Sequence, residues 1–375
     1  MNTLQSGNRT LFSAVFLTAL AISLLCIPGL SATEYLSFEE IQQLYPKQTK
    51  IGKSFKKRVN GKGVPISAGI QKRPVKIAFI YPGNQVSDYW KRSVVSFSKR
   101  MDEIGVHYEI IDFFSNSGDI RVQEGQLRKA LSAAPDYLVY TLDVNRHKRL
   151  VERLISKGSP KIILQNITTP LKSWKDKQPF FYVGFDHARG TRMLAERIQT
   201  KLPEGGDYTV LFYSRGYVSE MRGNTFIQFM KDNPRWHLVD SYYTNGKRKM
   251  AKRAALEILK NKNVKLIYSC STDVAFGVLD AIHDTDMKER VILNGWGGGS
   301  EELQAVLAGD LDLTVMRIND DNGVAMAEAI RLDLEGKKDK IPMIFSGDFA
   351  IIDDNTTEEE LHRLKERSFR YSGTE

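Results

Sequence analysis

Nine side chains in this 375-residue sequence are of types that could hold a small ligand: Gln85, Ser87, Trp90, Asn166, Arg222, Thr272, Asp273, Trp296 and Arg317. Indole faces pack against the C–H faces of a sugar-like ring. Amide, hydroxyl and carboxylate groups pair with vicinal hydroxyls. Two guanidinium forks, charged at any physiological pH, counter a negative charge with several donors in one plane. The chemistry is therefore reversible binding of a small polyhydroxylated ligand, with two arginines able to take an anionic form of it. Most of these residues, and the neighbouring Asp88, also have a simpler reading. Ser87, Asp88, Thr272 and Asp273 could be helix caps, Arg222 a solvated helical residue, and Trp90 and Trp296 ordinary core.

Catalytic patterns are poor. The sequence holds no G-x-S-x-G elbow, no H-E-x-x-H pair and no P-loop. The glycines at 295 and 297–299 lack G-x-G-x-x-G spacing, and the six histidines (107, 147, 187, 237, 283 and 362) show no metal-ligand spacing. An enzyme would have to use Asp273 with a second carboxylate as an acid/base pair. No metal or cofactor is expected.

The nine residues acquire meaning from the elements around them. Apolar strand-like runs begin at Val75, Tyr108, Tyr137, Lys161, Phe180, Tyr208, His237, Lys265, Val291 and Leu311. Amphipathic segments alternate with them: from Ser87 or Asp88 to Ile104, then 120–133, 146–156, 188–202, 218–231, 250–259, 274–283, 301–307 and about 320–334. Pro342 to Ile352 reads as extended chain and Glu358 to Arg367 as a terminal helix. This alternation predicts βαβ units and parallel sheets. A pause at 168–179, containing Pro170 and Trp174, splits the rhythm into two runs of similar size. The fold class expected is α/β, with two doubly wound parallel-sheet lobes. Ligands in such sheets bind at the carboxyl ends of the strands, where all nine residues fall.

The stretch Asn294-Gly295-Trp296-Gly297-Gly298-Gly299-Ser300 is the most unusual of these exits. Four glycines allow backbone conformations and close approaches that other residues avoid. A strand end that delivers Trp296 to a cleft, followed by a glycine crossover between lobes, is the expected arrangement.

Apolar residues make up 42% of the chain, aromatics 10% and charges 26%, an ordinary globular composition. The net charge of +9 is uneven. Residues 34–73 hold nine Lys/Arg against three acids, a surplus of six; Arg9 adds one, which leaves two for residues 74–375. The excess belongs to a basic N-terminal arm, read as a solvated or docking segment, and not to a nucleic-acid-binding body. Arg9, the apolar run Leu11 to Ile27, the break at Pro28-Gly29 and small residues before Thr33 predict a cleaved signal peptide over 1–32, with a retained anchor as the alternative. Without that segment only Cys270 remains, a small buried apolar residue in a strand pattern, and no intrachain disulfide is possible.

Several blocks carry a family resemblance. Gln85-Val86-Ser87-Asp88-Tyr89-Trp90, Leu164-Gln165-Asn166-Ile167-Thr168-Thr169-Pro170, Ser271-Thr272-Asp273-Val274-Ala275, Asn294-Gly295-Trp296-Gly297-Gly298-Gly299 and Val315-Met316-Arg317 are similar to those of the LuxP-type autoinducer-2 receptors. These belong to the sugar-binding periplasmic proteins related to ribose-binding protein. The resemblance spans nearly all of the chain after the signal segment. It implies a clamshell with a multi-crossing hinge that binds autoinducer-2 as a furanosyl borate diester. The nine residues would form its site, with Arg222 and Arg317 offsetting the borate charge. It also implies a periplasmic location, no enzymatic activity, and a partner, the periplasmic domain of a LuxQ-type sensor histidine kinase, through which alone the protein would meet the membrane. The lobes are expected at 74–167 with 297–320 and at 168–296 with 321–375, after an arm over 33–73. The alternative is a binding protein for a plain sugar that feeds an importer.

Overall fold

The computed structural model describes residues 34–116, 118–142, 145–287 and 291–373. The expected signal segment lies outside them. Among the described residues no helix is long and apolar enough to cross a membrane.

The described residues open with α1 (Phe38–Leu44) and α2 (Lys47–Asn60). Ser37 starts α1 with a capping box: its hydroxyl accepts from the Glu40 N–H while the Glu40 carboxylate accepts from the Ser37 N–H. The α2 helix changes the reading of the basic arm. Six of its fourteen residues are Lys or Arg, yet Phe55 and Val59, one turn apart, are buried. Phe55 meets Phe181 and Phe345 edge-on at 5.7 and 5.9 Å. The segment is a packed part of the first lobe, and only the chain after Gly61 is an irregular connection.

The first sheet takes β1 (Val75–Tyr81), β2 (Tyr108–Phe114), β3 (Tyr137–Tyr140), β4 (Lys161–Gln165), β5 (Phe181–Gly184) and, from far along the chain, β11 (Ile344–Ser346). Their spatial order is β11-β5-β4-β3-β1-β2, with every pair parallel. Alternate residues serve opposite faces. Ile77 and Phe79 pack under α3 (Tyr89–Glu103) and α12 (Asp320–Leu334); Ala78 and Ile80 pack under α4 (Ile120–Ser132) and α5 (Asn145–Lys157).

The second sheet has the order β7-β6-β8-β9, from β6 (Gly206–Phe212), β7 (Trp236–Tyr243), β8 (Val264–Ser269) and β9 (Ile292–Leu293). It continues through bridges from Asn294 and Gly297 to β10 (Leu313–Arg317), which pairs antiparallel with β12 (Phe349–Asp353). Leu211, Ile267 and Leu293 face α9 (Arg248–Ile258), α10 (Thr272–Thr285), α11 (Ser300–Leu307) and α13 (Glu358–Ser368). Tyr208, Val210 and Tyr268 face α6 (His187–Lys201) and α8 (Thr225–Lys231).

The strand partners place the lobe boundaries elsewhere than expected. β5 pairs with β4 in the first sheet, so the chain leaves that lobe after Gly184 and not near residue 167. β10 lies in the second sheet, so 297–317 belong there, while α12 and β11 return to the first lobe. The chain therefore crosses at 185–186, 318–319 and 347–348. The crossings are tied together: the Gly347 N–H donates to the Gly184 carbonyl and the Ile318 N–H to that of Asp348, both at 2.9 Å. The described residues from Tyr35 onward pack as one compact unit.

Candidate functional site

In each sheet the strand order reverses beside one central strand, β1 in the first and β6 in the second. Loops leaving opposite sides of that strand diverge and open a crevice at the carboxyl ends. The two crevices face each other and form a half-open cavity of about 40 Å³. Pro82, Gln85, Ser87, Tyr89, Trp90 and Asn166 line it from the first lobe; Tyr213, Val218, Arg222, Ser271, Thr272, Trp296 and Arg317 line it from the second.

Eight of the nine expected residues are brought together here. Asp273 is the exception. It is half-buried on the first turn of α10, and its carboxylate accepts from the Val86 N–H of the opposite lobe at 3.2 Å. Burial raises its pKa. It clasps the loop that carries Gln85 and Ser87 and does not line the cavity. Tyr89, Tyr213 and Ser271 were missed from the sequence, although Tyr89 and Ser271 adjoin the expected Trp90 and Thr272, and Tyr213 directly follows β6.

Gln85 is steadied by a 2.6 Å bond from its amide to the Pro82 carbonyl. Trp90 lies over Tyr81 with ring centres 4.7 Å apart. Tyr81 in turn hydrogen-bonds Gln165. Asn166 has φ +68°, the left-handed region that asparagine tolerates better than most residues. Its buried Oδ1, like Ser271 Oγ, has no hydrogen-bond partner among the described residues. A buried acceptor left open in this way is costly unless a ligand hydroxyl meets it.

Trp296 is both core and cavity wall. It is only 1% exposed. Its Nε1–H reaches Thr191 Oγ1 at 3.3 Å, and Phe349 meets its ring edge-on at 5.9 Å. The glycines around it do not cross between lobes as expected. They join β9 to α11 within the second lobe and run beside β10, with Gly295 N–H donating to Leu313 O and Gly297 N–H to Val315 O. Gly298 has φ +61°, and a Cβ there would lie 2.3 Å from Met316 Cα; only glycine permits this approach. Glu302, in the first turn of α11, holds the loop: its buried carboxylate accepts from Trp296 N–H (3.1 Å), Gly298 N–H (2.8 Å) and Thr314 Oγ1 (2.5 Å).

The two arginines dominate the electrostatics. Arg222 sits in a π-helical turn (Glu220–Asn224) between α7 (Tyr217–Ser219) and α8, a distortion common at functional sites. Its guanidinium lies 3.5 Å from the Trp296 ring centre and donates to the Cys270 carbonyl at 2.7 Å. Arg317 lies 4.1 Å from the Tyr89 ring centre and donates to Gly297 O at 3.3 Å. Both are buried. Among the described residues neither has a carboxylate within ion-pair distance. Burial, followed by the charge of Arg317, lowers the pKa of Arg222 to about 9; burial also lowers that of Arg317. The cavity is thus electropositive and aromatic. Among the described residues no cluster of His, Cys, Asp or Glu could hold a metal ion.

The family described as a periplasmic binding protein domain matches residues 77–338. The D-allose-binding periplasmic protein of Escherichia coli (strain K12) is 27% identical over 168 residues, which are 44% of this chain and 53% of that protein. The chain thus aligns with about half the length of that relative. Among solved structures, a carbohydrate transporter solute-binding protein from Agrobacterium radiobacter in complex with D-arabinose matches with a TM-score of 0.68 at 18% identity, covering 78% of this chain and 99% of that one. A solute-binding protein from Agrobacterium vitis bound to α-D-tagatopyranose matches with a TM-score of 0.70 at 14% identity, covering 77% and 98%. At such identities the structures speak for the fold, and the two-lobed α/β architecture agrees with them. The chain belongs to the periplasmic binding protein family.

Proposed function

We propose that this protein binds a compact polyhydroxylated ligand between its lobes and acts by closing on it in the periplasm, without turnover. The names of the relatives support a carbohydrate ligand: D-allose, D-arabinose and α-D-tagatopyranose are all uncharged sugars. On that ground alone, a binding protein that passes a sugar to an importer is the better-supported reading.

One observation favours a narrower reading. Arg222 and Arg317 enter the same small cavity, both buried and neither neutralised by a carboxylate within ion-pair distance among the described residues. Two desolvated like charges are unfavourable together and are relieved by an anion between them. The uncapped N-terminus of α10, at Ser271 and Thr272, adds a partial positive charge on the same side. Trp90 and Trp296 supply aromatic wall, and Asn166 and Ser271 supply open acceptors for hydroxyls. These groups suit a ring-shaped polyol with one negative charge. The furanosyl borate diester of autoinducer-2 is such a ligand, and a receptor for it would report to a LuxQ-type sensor histidine kinase. Gln85, Ser87, Trp90, Asn166, Arg222, Thr272, Trp296 and Arg317 would contact it, and Asp273 would hold the loop above it.

Calorimetric titration with autoinducer-2, with and without borate, tests this reading. We expect binding that requires borate, and an Arg317→Ala variant weaker by about 1.5–3 kcal/mol, the scale of hydrogen bonds to charged groups. Indifference to borate, with tight binding of a plain sugar, would instead establish the importer reading.

A further inference from the structure

His187 stands behind the cavity wall, outside the set of residues that line it. It is the first residue of α6, immediately after the first crossing between the lobes. Its ring is fully buried and touches residues from both sides. On one side Nδ1 accepts from Arg222 Nε–H at 3.0 Å. Since Nδ1 is an acceptor, the proton lies on Nε2, which donates to the Asn166 carbonyl at 3.1 Å. The left-handed backbone at Asn166 accompanies this contact. The imidazole ring centre also lies 5.0 Å from that of Trp296, with the planes tilted by 43°.

A neutral imidazole, with one donor and one acceptor, is the form that satisfies both contacts. Burial, and then the Arg222 charge, hold its pKa well below the ordinary histidine range. With Nε held by His187, one Nη held by the Cys270 carbonyl and one face on Trp296, the rotation of the Arg222 guanidinium is fixed. The edge that remains is the one presented to the cavity.

We infer that His187 is a positioning residue for anion recognition: one neutral imidazole ties Asn166 of the first lobe to Arg222 of the second and sets the guanidinium edge that meets the ligand's charge. This rests on the anionic reading of the cleft. Asparagine at 187 places its amide oxygen near the position of Nδ1 and keeps the acceptor for Arg222; phenylalanine keeps the ring volume and loses both bonds.

The test has two arms. In the ligand-free wild type, nitrogen NMR of the histidine side chains should show His187 neutral, with its proton on Nε2, at pH 7. A protonated ring, or the other tautomer, overturns the inference whatever the ligand is. In calorimetry with autoinducer-2 in borate buffer, His187→Phe should bind about tenfold more weakly, and His187→Asn should recover most of that loss. Equal binding by His187→Phe and wild type, or equal weakness of both variants, overturns it. A wild type that does not bind in borate overturns the anionic reading, and the NMR result then still decides whether His187 orients Arg222.

Discussion

Asp88 immediately precedes α3 of the first lobe, yet its side chain makes no capping bond there; it caps α11 of the second lobe. Its Oδ2 accepts from the Ser300 N–H at 3.3 Å and from Ser300 Oγ at 3.1 Å, while Gly299, which precedes that helix, has no side chain to do so. A carboxylate at a helix N-terminus is favourable both as an acceptor and against the helix dipole. Arg92 completes the junction, donating to Asp88 Oδ2 at 2.6 Å and to Ser300 Oγ at 2.9 Å.

Asp88→Ala should therefore loosen the closed arrangement without touching the cavity lining. A loss of about 1–2 kcal/mol of interlobe stabilisation is expected, at the lower end for charged hydrogen bonds because the site is partly solvated. Small-angle scattering of the ligand-free protein should show a larger radius of gyration than wild type. Superimposable curves would rule out a latch at this position.

Glu302 is the support of the Trp296 loop. Glu302→Ala leaves the buried Trp296 and Gly298 N–H groups unpaired, at about 1–3 kcal/mol each. Urea unfolding should report a loss of about 3 kcal/mol or more, with tryptophan emission shifted to the red before the main transition. A variant as stable as wild type would show that the loop holds its shape without the carboxylate.

The basic N-terminal helix is expected to be structural. Phe55→Ala should cost about 3–5 kcal/mol, as for a fully buried aromatic. Lys56→Ala removes only a half-exposed pair with Asp348 in the third crossing and should cost less than about 1 kcal/mol. Thermal unfolding of the two variants separates a packed helix from an accessory arm; similar melting temperatures would favour the accessory role.

Cys270 should be inert in the native protein. Burial pushes its thiol from near 9 up to about 12, so the folded state keeps a proton that the unfolded state loses. The contribution of this group to stability is fully present below pH 9 and declines as pH rises from 9 toward 12. A thiol reagent at pH 8 should leave Cys270 unlabelled until urea unfolds the protein. Rapid labelling of the folded protein would mean that this strand end opens.

Much of the fold was legible in the sequence because βα alternation is local. The segments read as strands and helices recur in the structure with ends shifted by a few residues, and α6, α10, α11 and α13 lie close to their expected positions. The lobe boundaries were not legible. Whether β5 or β10 joins the first or the second sheet depends on pairing with strands distant in sequence, and both sheets accept the same apolar, β-branched composition. The α2 helix was obscured because two buried apolar residues stand among six basic ones, and composition averages over the face that matters. His187 gave no signal, since a single histidine without metal spacing acquires a role only from what packs against it.

The sequence alone determined which residues stand at strand exits, and so which chemistry could meet at one end of the sheets: two indoles, two guanidiniums and a set of amides and hydroxyls. Only the tertiary structure decided that Asp273 faces a loop instead of the cavity, that the glycines at 297–299 bend within one lobe, and that Arg222 and Arg317 are buried together without a carboxylate ion pair among the described residues. The reason is physical. Which segments become strands or helices follows from local side-chain patterns, whereas strand pairing, burial, charge proximity and the satisfaction of hydrogen bonds depend on which distant segments are packed against each other.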